Sequence, residues 1–147
     1  MSDRRKHYTG AAVGVSFDPG RCRHAAECVR GLPAVFDTGR RPWILPERGD
    51  PEDVVRVVAR CPTGALRTHP IATIAGEQPV TPTKLTAVPG GPLLLRGDLH
   101  LTAGDIDQRE TRAAVCSCGS TANAPYCDGS GTCADWPHPR GTARSDA

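Results

Sequence analysis

The clearest hydrophobic pattern of the chain is helical and lies in residues 50–60. Its apolar positions share one face of a helix and are Val54, Val57 and Val58. Asp50 is a typical helix cap, and Pro51 stands at the first helical position, where proline costs no hydrogen bond. The pattern therefore predicts an amphipathic helix that packs one side inward and ends beside Cys61.

Short strand and turn signals fill the rest of the first seventy residues. Residues 1–10 are polar and charged and predict a loose terminus, whereas residues 12–17 have the composition of a short strand. Residues 22–31 predict a turn that enters a short helix, with Gly31 as its stop. Residues 41–45 form a candidate strand bounded by prolines.

The second half of the chain consists of short apolar pieces interrupted by proline and glycine. Residues 70–91 are the expected linker, within which residues 84–88 are strand-like. Residues 93–101 predict a hairpin that turns near Gly97, and residues 111–115 predict a strand that runs into a cysteine-rich loop. We therefore expect an α+β fold, in which a small α/β module precedes a small β-rich module.

Composition limits the size of the core that the chain can build. Hydrophobic residues make up 38% of the 147 residues, but aromatic residues only 4%, so small modules of this kind need another source of stability. Bound metal is a common one. Seven cysteines supply suitable ligands, and an odd number does not suit a fully paired disulfide framework.

Charge and hydropathy argue against several classes of protein. No apolar run reaches the length of a membrane span, and the charged start lacks the apolar segment of a secretory signal, so we expect a cytoplasmic protein with no membrane partner. The net charge is +2, with the surplus of Lys and Arg in the first seventy residues. That surplus is typical of a solvated surface or of a site for an acidic protein partner. The arginines form no basic stripe, so we expect no nucleic-acid partner.

Three thiols lie within twelve residues in the loop that holds Cys116, Cys118 and Cys127. Glycine, serine, asparagine and proline fill the interval, and such turn-forming residues let a backbone fold around one centre. Thiolates are soft ligands that suit zinc or an iron–sulfur cluster. A structural or disulfide role is the less favoured alternative, because clustered thiols in a reducing compartment are more often metal ligands.

This loop resembles that of the CDGSH iron–sulfur family, the mitoNEET type. The matching residues are Cys116, Cys118, Cys127, Asp128, Gly129 and Ser130. The resemblance implies a [2Fe–2S] cluster whose fourth ligand is a histidine, but Gly131 stands at that position. Cys133 is the favoured replacement, His138 is the alternative, and a degenerate site that binds nothing stays open. A thiolate in place of the imidazole would lower the reduction potential and remove a protonatable ligand. Asp128 is expected to orient the loop as a hydrogen-bond acceptor.

A second group of thiols lies in the first module. Cys22 and Cys28 are close in sequence, and the distant Cys61 precedes a proline, as in ferredoxins, where such a Cys-Pro closes the cluster. The place of a further ferredoxin cysteine is taken by Ala25, which cannot ligate. Three thiolates predict a [3Fe–4S] cluster, or a [4Fe–4S] cluster whose last iron is held by His24, water or a partner. Zinc is the less favoured alternative.

Residues 8–67 look like the divergent single-cluster ferredoxin family. The resemblance is carried by the spacing of Cys22, His24 and Cys28 and by the run Cys-Pro-Thr-Gly-Ala-Leu that begins at Cys61. It implies a compact fold in which short strands and two helices enclose one cluster. Two accounts of His24 stay open, a cluster ligand and a surface histidine that hydrogen-bonds to the backbone.

Together these features predict an iron–sulfur protein that carries two clusters and serves as an electron carrier. The expected order along the chain is a ferredoxin-like domain at 8–69, a linker at 70–91, a CDGSH-type domain at 92–138 and a disordered tail at 139–147. No catalytic motif is present, so an enzyme is not expected. The expected partners are a reductase and an acceptor enzyme, with an oxygenase among the candidates. The alternatives are a protein of cluster storage, cluster transfer or redox sensing, and a zinc-stabilised binding module.

Overall fold

The structure, a computed structural model, describes residues 5–71 and 75–137. These residues form two three-stranded antiparallel sheets, two α-helices and two short 3-10 turns. The chain is thus an α+β protein, with a small mixed first module followed by a β-rich second module. His138 and the tail expected to be disordered, residues 139–147, lie outside the described residues.

The first sheet has the order β1-β2-β3. Its strands are β1 at Lys6–Thr9, β2 at Val13–Phe17 and β3 at Leu66–Pro70. The strand predicted at residues 12–17 is confirmed as β2, but the loose terminus predicted for residues 1–10 is wrong where β1 forms. Side chains of β1 are mostly exposed, so its sequence shows no apolar alternation, and pairing of its backbone with β2 holds it at the sheet edge.

Two helices pack beside this sheet. The first, α1, spans Glu27–Gly31, and the second, α2, spans Pro51–Val58. The predicted cap of α2 is confirmed, because the Asp50 side chain accepts a hydrogen bond from the Glu52 backbone N–H at 3.0 Å. The candidate strand at residues 41–45 is reduced to one isolated bridge between Phe36 and Ile44.

The core of the first module lies between α2 and the sheet. Its buried members are Val13, Val15, Val35, Phe36, Ile44, Val54, Val57, Val58 and Leu66. The apolar face predicted for α2 is therefore confirmed as core. Burying one valine side chain contributes about 2 kcal/mol, so this face holds the end of α2, and with it the following Cys61, against the sheet.

The second sheet has the order β4-β5-β6 and supplies the second module. Its strands are β4 at Lys84–Ala87, β5 at Leu93–Ala103 and β6 at Ile106–Val115. The strand-like piece of the expected linker is confirmed as β4. The hairpin predicted to turn near Gly97 is wrong, because β5 continues through that position with an irregular register between Arg96 and Leu99. The turn lies instead at Gly104, whose φ of 55° suits glycine.

Strand β6 also joins the two modules. Its buried Glu110 binds Arg21 at 2.9 Å and Arg67 at 2.6 Å, both of them in the first module. Its buried Arg112 donates to the carbonyl oxygens of Cys61 and Leu66. The two modules therefore share a buried polar interface. Among the described residues, no helix has the length and apolar character needed to cross a membrane.

Candidate metal centres

The three thiols of the first module lie around one narrow cavity. Cys22 follows β2, Cys28 lies on α1, and Cys61 follows α2, and all three line the cavity. Each of them is a free thiol. The fold therefore brings together the three cysteines that the sequence spacing had grouped.

The loop between Cys22 and Cys28 has an unusual backbone. His24 and Ala26 both have left-handed φ angles, 58° and 67°. Such angles are uncommon for residues other than glycine, and they concentrate at functional sites. The loop turns the His24 backbone N–H toward the Cys22 sulfur, 3.4 Å away. The His24 side chain is exposed, with its Nδ1 atom 4.0 Å from the same sulfur.

The pKa values of the Cys28 and Cys61 thiols are shifted in opposite directions. Burial, together with the charges of Cys61 and Cys22, raises the pKa of the Cys28 thiol to about 12. Burial also acts on Cys61, but the charge of Arg112 and hydrogen bonds from Leu66 and Thr63 outweigh it and lower the pKa of that thiol. Cluster ligands are thiolates, so binding iron here must displace protons.

A larger cavity of 420 Å³ adjoins the narrow one and shares Cys22, His24 and Cys28 with it. Its remaining wall is mainly apolar and includes Trp43, whose ring packs edge-on against Phe17 with centroids 5.1 Å apart. An apolar wall restricts water near the thiols, and solvent exposure is one of the factors that set the potential of a bound cluster.

The second module brings four thiols together in two pairs. The Cys116 and Cys118 sulfurs are 3.9 Å apart, and the Cys127 and Cys133 sulfurs are 3.1 Å apart. A tetrahedral metal with metal–sulfur bonds of about 2.3 Å separates two sulfurs by about 3.8 Å, so the first pair has the spacing of two ligands on one metal. The second pair is much longer than a disulfide bond of about 2.05 Å, and both thiols are free and buried.

Backbone bonds at the end of β6 determine the position of the second loop. Cys116 N–H donates to the Pro125 carbonyl and Cys127 N–H to the Ala114 carbonyl, each at 2.8 Å. Asp128 accepts from the backbone N–H groups of Ala122 and Ser130, which lower the pKa of its carboxyl to about 2. Asp128 thus orients the loop as a hydrogen-bond acceptor, as the sequence indicated.

Gly131, at the position of the family's histidine, faces the thiols but leaves no room for a side chain. A Cβ atom built there would lie 2.8 Å from the Cys118 sulfur and 2.7 Å from the Ser120 hydroxyl oxygen. Its φ of 67° also favours glycine. Cys133, two residues later, is buried beside Cys127 instead. The alternative ligand His138 lies outside the described residues.

The donor set fits iron–sulfur clusters better than single metal ions. Within residues 5–71 and 75–137, no three Cys, His, Asp or Glu side chains converge at the spacing of the ligands of one ion. The thiols instead line a cavity in the first module and form two pairs in the second, where Cys118 packs against Cys127 and Cys133. Thiolates that bind different irons of one cluster need not converge on a point.

Comparison with known families agrees with both sites. Residues 8–69 match the family model described as "Divergent 4Fe-4S mono-cluster", and residues 90–130 match "Iron-binding zinc finger CDGSH type". Over 60 residues, the chain is 43% identical to "Uncharacterized protein YjdI" of Escherichia coli strain K12. This aligned region covers 41% of this chain and 79% of that relative. The protein of the same name from Escherichia coli O157:H7 matches with the same identity and coverage. No solved structure matches the chain significantly.

The chain belongs to the divergent 4Fe-4S mono-cluster family and carries a CDGSH-type domain. The mono-cluster match includes Cys22, Cys28 and Cys61, so the first module is a domain of the 4Fe-4S type. The CDGSH match ends at Ser130, just before the position where the histidine is replaced, so Cys133 lies beyond it. The fusion of two iron–sulfur modules expected from the sequence is confirmed.

The arginines that connect the two sites were not predicted from the sequence. Arg23 lies between Cys22 and His24 in sequence, yet its guanidinium donates to the Cys133 carbonyl oxygen at 2.9 Å. Arg21 stacks on Tyr126 of the second module, with its Cζ atom 3.8 Å from the ring centroid. The surplus of arginine in the first half of the sequence was the signal that could have indicated these contacts. Arg21 and Arg23, which belong to that surplus, lie in the interface between the two modules.

Proposed function

We propose that the protein is an electron carrier that binds two iron–sulfur clusters, one in each module. The observation that supports this most directly is the separation of its seven thiols into two sets, of which Cys22, Cys28 and Cys61 lie in one iron–sulfur family match and Cys116, Cys118 and Cys127 in the other, with Cys133 just beyond it. Each cluster, when bound, supplies a centre that accepts and releases one electron. We further propose that the protein is cytoplasmic, is not itself an enzyme, and exchanges electrons with a reductase and an acceptor enzyme such as an oxygenase.

For the first site we propose Cys22, Cys28 and Cys61 as ligands of a [4Fe–4S] or [3Fe–4S] cluster. His24 is the proposed additional ligand, because its Nδ1 atom lies beside the Cys22 sulfur and its backbone is held in a left-handed conformation. The side chain is exposed, so water or a partner residue can reach the same iron.

For the second site we propose a [2Fe–2S] cluster held by two pairs of thiolates. The 3.9 Å spacing of Cys116 and Cys118 supports their binding to one iron. The contact of Cys127 with Cys133 supports their binding to the other. In this arrangement Cys133 takes the role of the family's histidine, and the site has four thiolates and no imidazole.

The test of the carrier function is anaerobic purification of the full chain, followed by iron and sulfide counts and electron paramagnetic resonance. We expect iron for two clusters and two distinct signals, both of which survive repeated chemical reduction and reoxidation. An iron content that accounts for one cluster only would contradict the proposal, and a colourless zinc protein would replace it with the zinc-stabilised binding module.

A second candidate function is cluster storage, cluster transfer or redox sensing, and the exposure of the second loop favours it. Gly119 and Ser120, which follow Cys118, are exposed, and Cys116 and Cys118 are themselves only half-buried. An acceptor protein can therefore approach this pair. Incubation of the loaded protein with an apo-ferredoxin separates the two functions, because a donor transfers its second cluster and a carrier retains it.

A further inference from the structure

Arg23 extends from the first cluster site into the second. It follows Cys22 directly, and its side chain lines the narrow cavity shared by the first three thiols. Its Nη2 atom crosses to the second module and donates to the carbonyl oxygens of Cys133 at 2.9 Å and Trp136 at 2.5 Å, with Ala134 at 3.4 Å. One guanidinium thus binds the backbone segment that carries Cys133.

The second loop is shaped to receive this guanidinium. A Cβ atom built on Gly129 would lie 1.9 Å from Arg23 Nη1 and 2.7 Å from its Cζ. Only glycine can therefore occupy position 129 while Arg23 stays in place. The loop contacts Arg23 on two sides, through Gly129 and through the carbonyl groups that begin at Cys133.

The Nε–H group of Arg23 adds an independent observation. Among the described residues, this buried nitrogen has no hydrogen-bond acceptor. An unsatisfied buried donor is costly, and such groups often mark an acceptor that is bound only in the functional state. Cluster sulfides and thiolates are acceptors of that kind, and hydrogen bonds to them tune the reduction potential.

We propose that Arg23 is a positioning residue shared by the two cluster sites. It holds the Cys133 segment in the geometry in which that thiol meets Cys127, and its positive charge serves both clusters. A nearby positive charge stabilises the reduced, more negative state of a cluster and so raises its reduction potential. This inference rests on the proposed function, because it requires two clusters in one chain.

The test compares Arg23→Gln and Arg23→Lys with the parent protein, each with its clusters loaded. Arg40→Gln is the matched control, because Arg40 also binds backbone carbonyls, those of Val35 and Trp43, but only within the first module. In Arg23→Gln we expect iron release from the second cluster to a chelator to rise about tenfold, since charge-assisted hydrogen bonds are lost. Redox titration should show lower potentials for both clusters.

Arg23→Lys separates charge from geometry, because lysine keeps the positive charge but lacks the fork that binds several carbonyls. We expect it to keep a potential close to the parent's at the first cluster and to release the second cluster as fast as Arg23→Gln does. Gly129→Ala displaces the guanidinium without changing Arg23 and also strains the loop at its left-handed φ of 88°, so it should release the second cluster at least as fast as Arg23→Lys does, even if Arg23→Gln does not fold.

Three results would overturn the inference: parental iron release in the folded Arg23→Lys and Gly129→Ala proteins, unchanged potentials in Arg23→Gln, or equal effects of Arg40→Gln. These results are distinguishable from a failure of the proposed function. If the parent protein itself binds a single cluster, the iron count shows this before any variant is compared.

Discussion

At the scale of single residues, the exchange of an imidazole for a thiolate that we propose for the second site involves a change of backbone as well as of side chain. Gly131 has a left-handed φ and no space for a Cβ atom, so the chain turns sharply there into the 3-10 turn Gly131–Cys133. That turn brings the Cys133 sulfur to 3.1 Å from both the Cys127 sulfur and the Ser130 carbonyl oxygen. Burial and the neighbouring Cys127 raise the pKa of the free Cys133 thiol to about 12, so a metal that binds this thiol must displace the proton.

The first prediction concerns Cys133. Cys133→Ala should leave one iron of the second site without its fourth protein ligand, and we expect that cluster to be lost or its visible and paramagnetic spectra to change. Thr132→Ser, a change at the exposed neighbouring residue, is the control and should leave the spectra unchanged. The potential of the parent's second cluster should vary little with pH near neutrality, because that proposed site has no ligating imidazole to take up a proton. A Cys133→Ala protein with a complete and spectrally unchanged second cluster would exclude Cys133 as a ligand.

At the scale of elements, α2 determines the position of Cys61. Two residues separate the end of the helix at Val58 from Cys61, and the Cys61 N–H group donates a hydrogen bond to the Val58 carbonyl oxygen at 3.0 Å. The beginning of the helix depends on Asp50, which satisfies an N–H group that has no partner inside the helix.

The second prediction concerns this cap. Asp50→Ala should lower the free energy of unfolding by about 1 kcal/mol, because the Glu52 N–H loses its acceptor. Asp50→Asn keeps an acceptor oxygen at the same place and should cost much less. Denaturant unfolding followed by circular dichroism measures both values. Equal losses in the two variants would show that the charge of Asp50, and not the cap, stabilises the helix.

Some elements are predictable from the sequence and others are not. The difference is whether an element is stabilised by residues within its own segment or by contacts with distant parts of the chain. Helix α2 was predictable because its cap and its valine face are local signals. Strand β1 was not, since an exposed edge strand is held by its partner β2 and needs no apolar alternation. The turn was predicted near Gly97, but this glycine lies inside β5, where it allows Thr83 to pack closely. A Cβ atom at Gly97 would lie 2.5 Å from the Thr83 hydroxyl oxygen.

The two thiol sets were predictable from spacing, but their connection was not. Arg23 and Gly129 are more than one hundred residues apart, and nothing in either local sequence indicates that they touch. Arginines of this kind are indistinguishable from surface arginines until the modules are placed together. A polar interface between distant segments therefore cannot be predicted from hydrophobic periodicity or from sequence motifs.

At the scale of the whole molecule, one buried carboxylate holds the modules together. Glu110 binds Arg21 and Arg67, and it accepts a hydrogen bond from the Tyr126 hydroxyl at 2.7 Å. The side chains of Arg21 and Glu110 are almost fully buried, 3% and 1% exposed. Removal of one member of such a pair leaves an uncompensated buried charge, which costs about 3–5 kcal/mol. We therefore expect the two modules to unfold as one unit.

The last prediction is a pH-dependent loss of stability in Glu110→Gln. Burial raises the pKa of Glu110, but the charges of Arg21 and Arg67 outweigh it and hold the pKa below the usual 4.5. A carboxyl group whose pKa is depressed on folding stabilises the protein above its unfolded pKa, and this stability is lost as the pH falls through the folded pKa. Glu110→Gln should therefore lower the free energy of unfolding by about 3–5 kcal/mol near pH 7.

The difference between the parent and this variant should begin to shrink as the pH falls below about 4.5, because Glu110 then binds a proton in the unfolded parent, and it disappears only as the pH falls through the lower folded pKa. Urea unfolding of both loaded proteins between about pH 7 and pH 4 measures the difference. Glu47→Gln, at an exposed carboxylate, is the control and should match the parent within about 0.5 kcal/mol. A parent and a Glu110→Gln protein of equal stability at neutral pH would show that packing of β6, and not the Glu110 charge, joins the two modules.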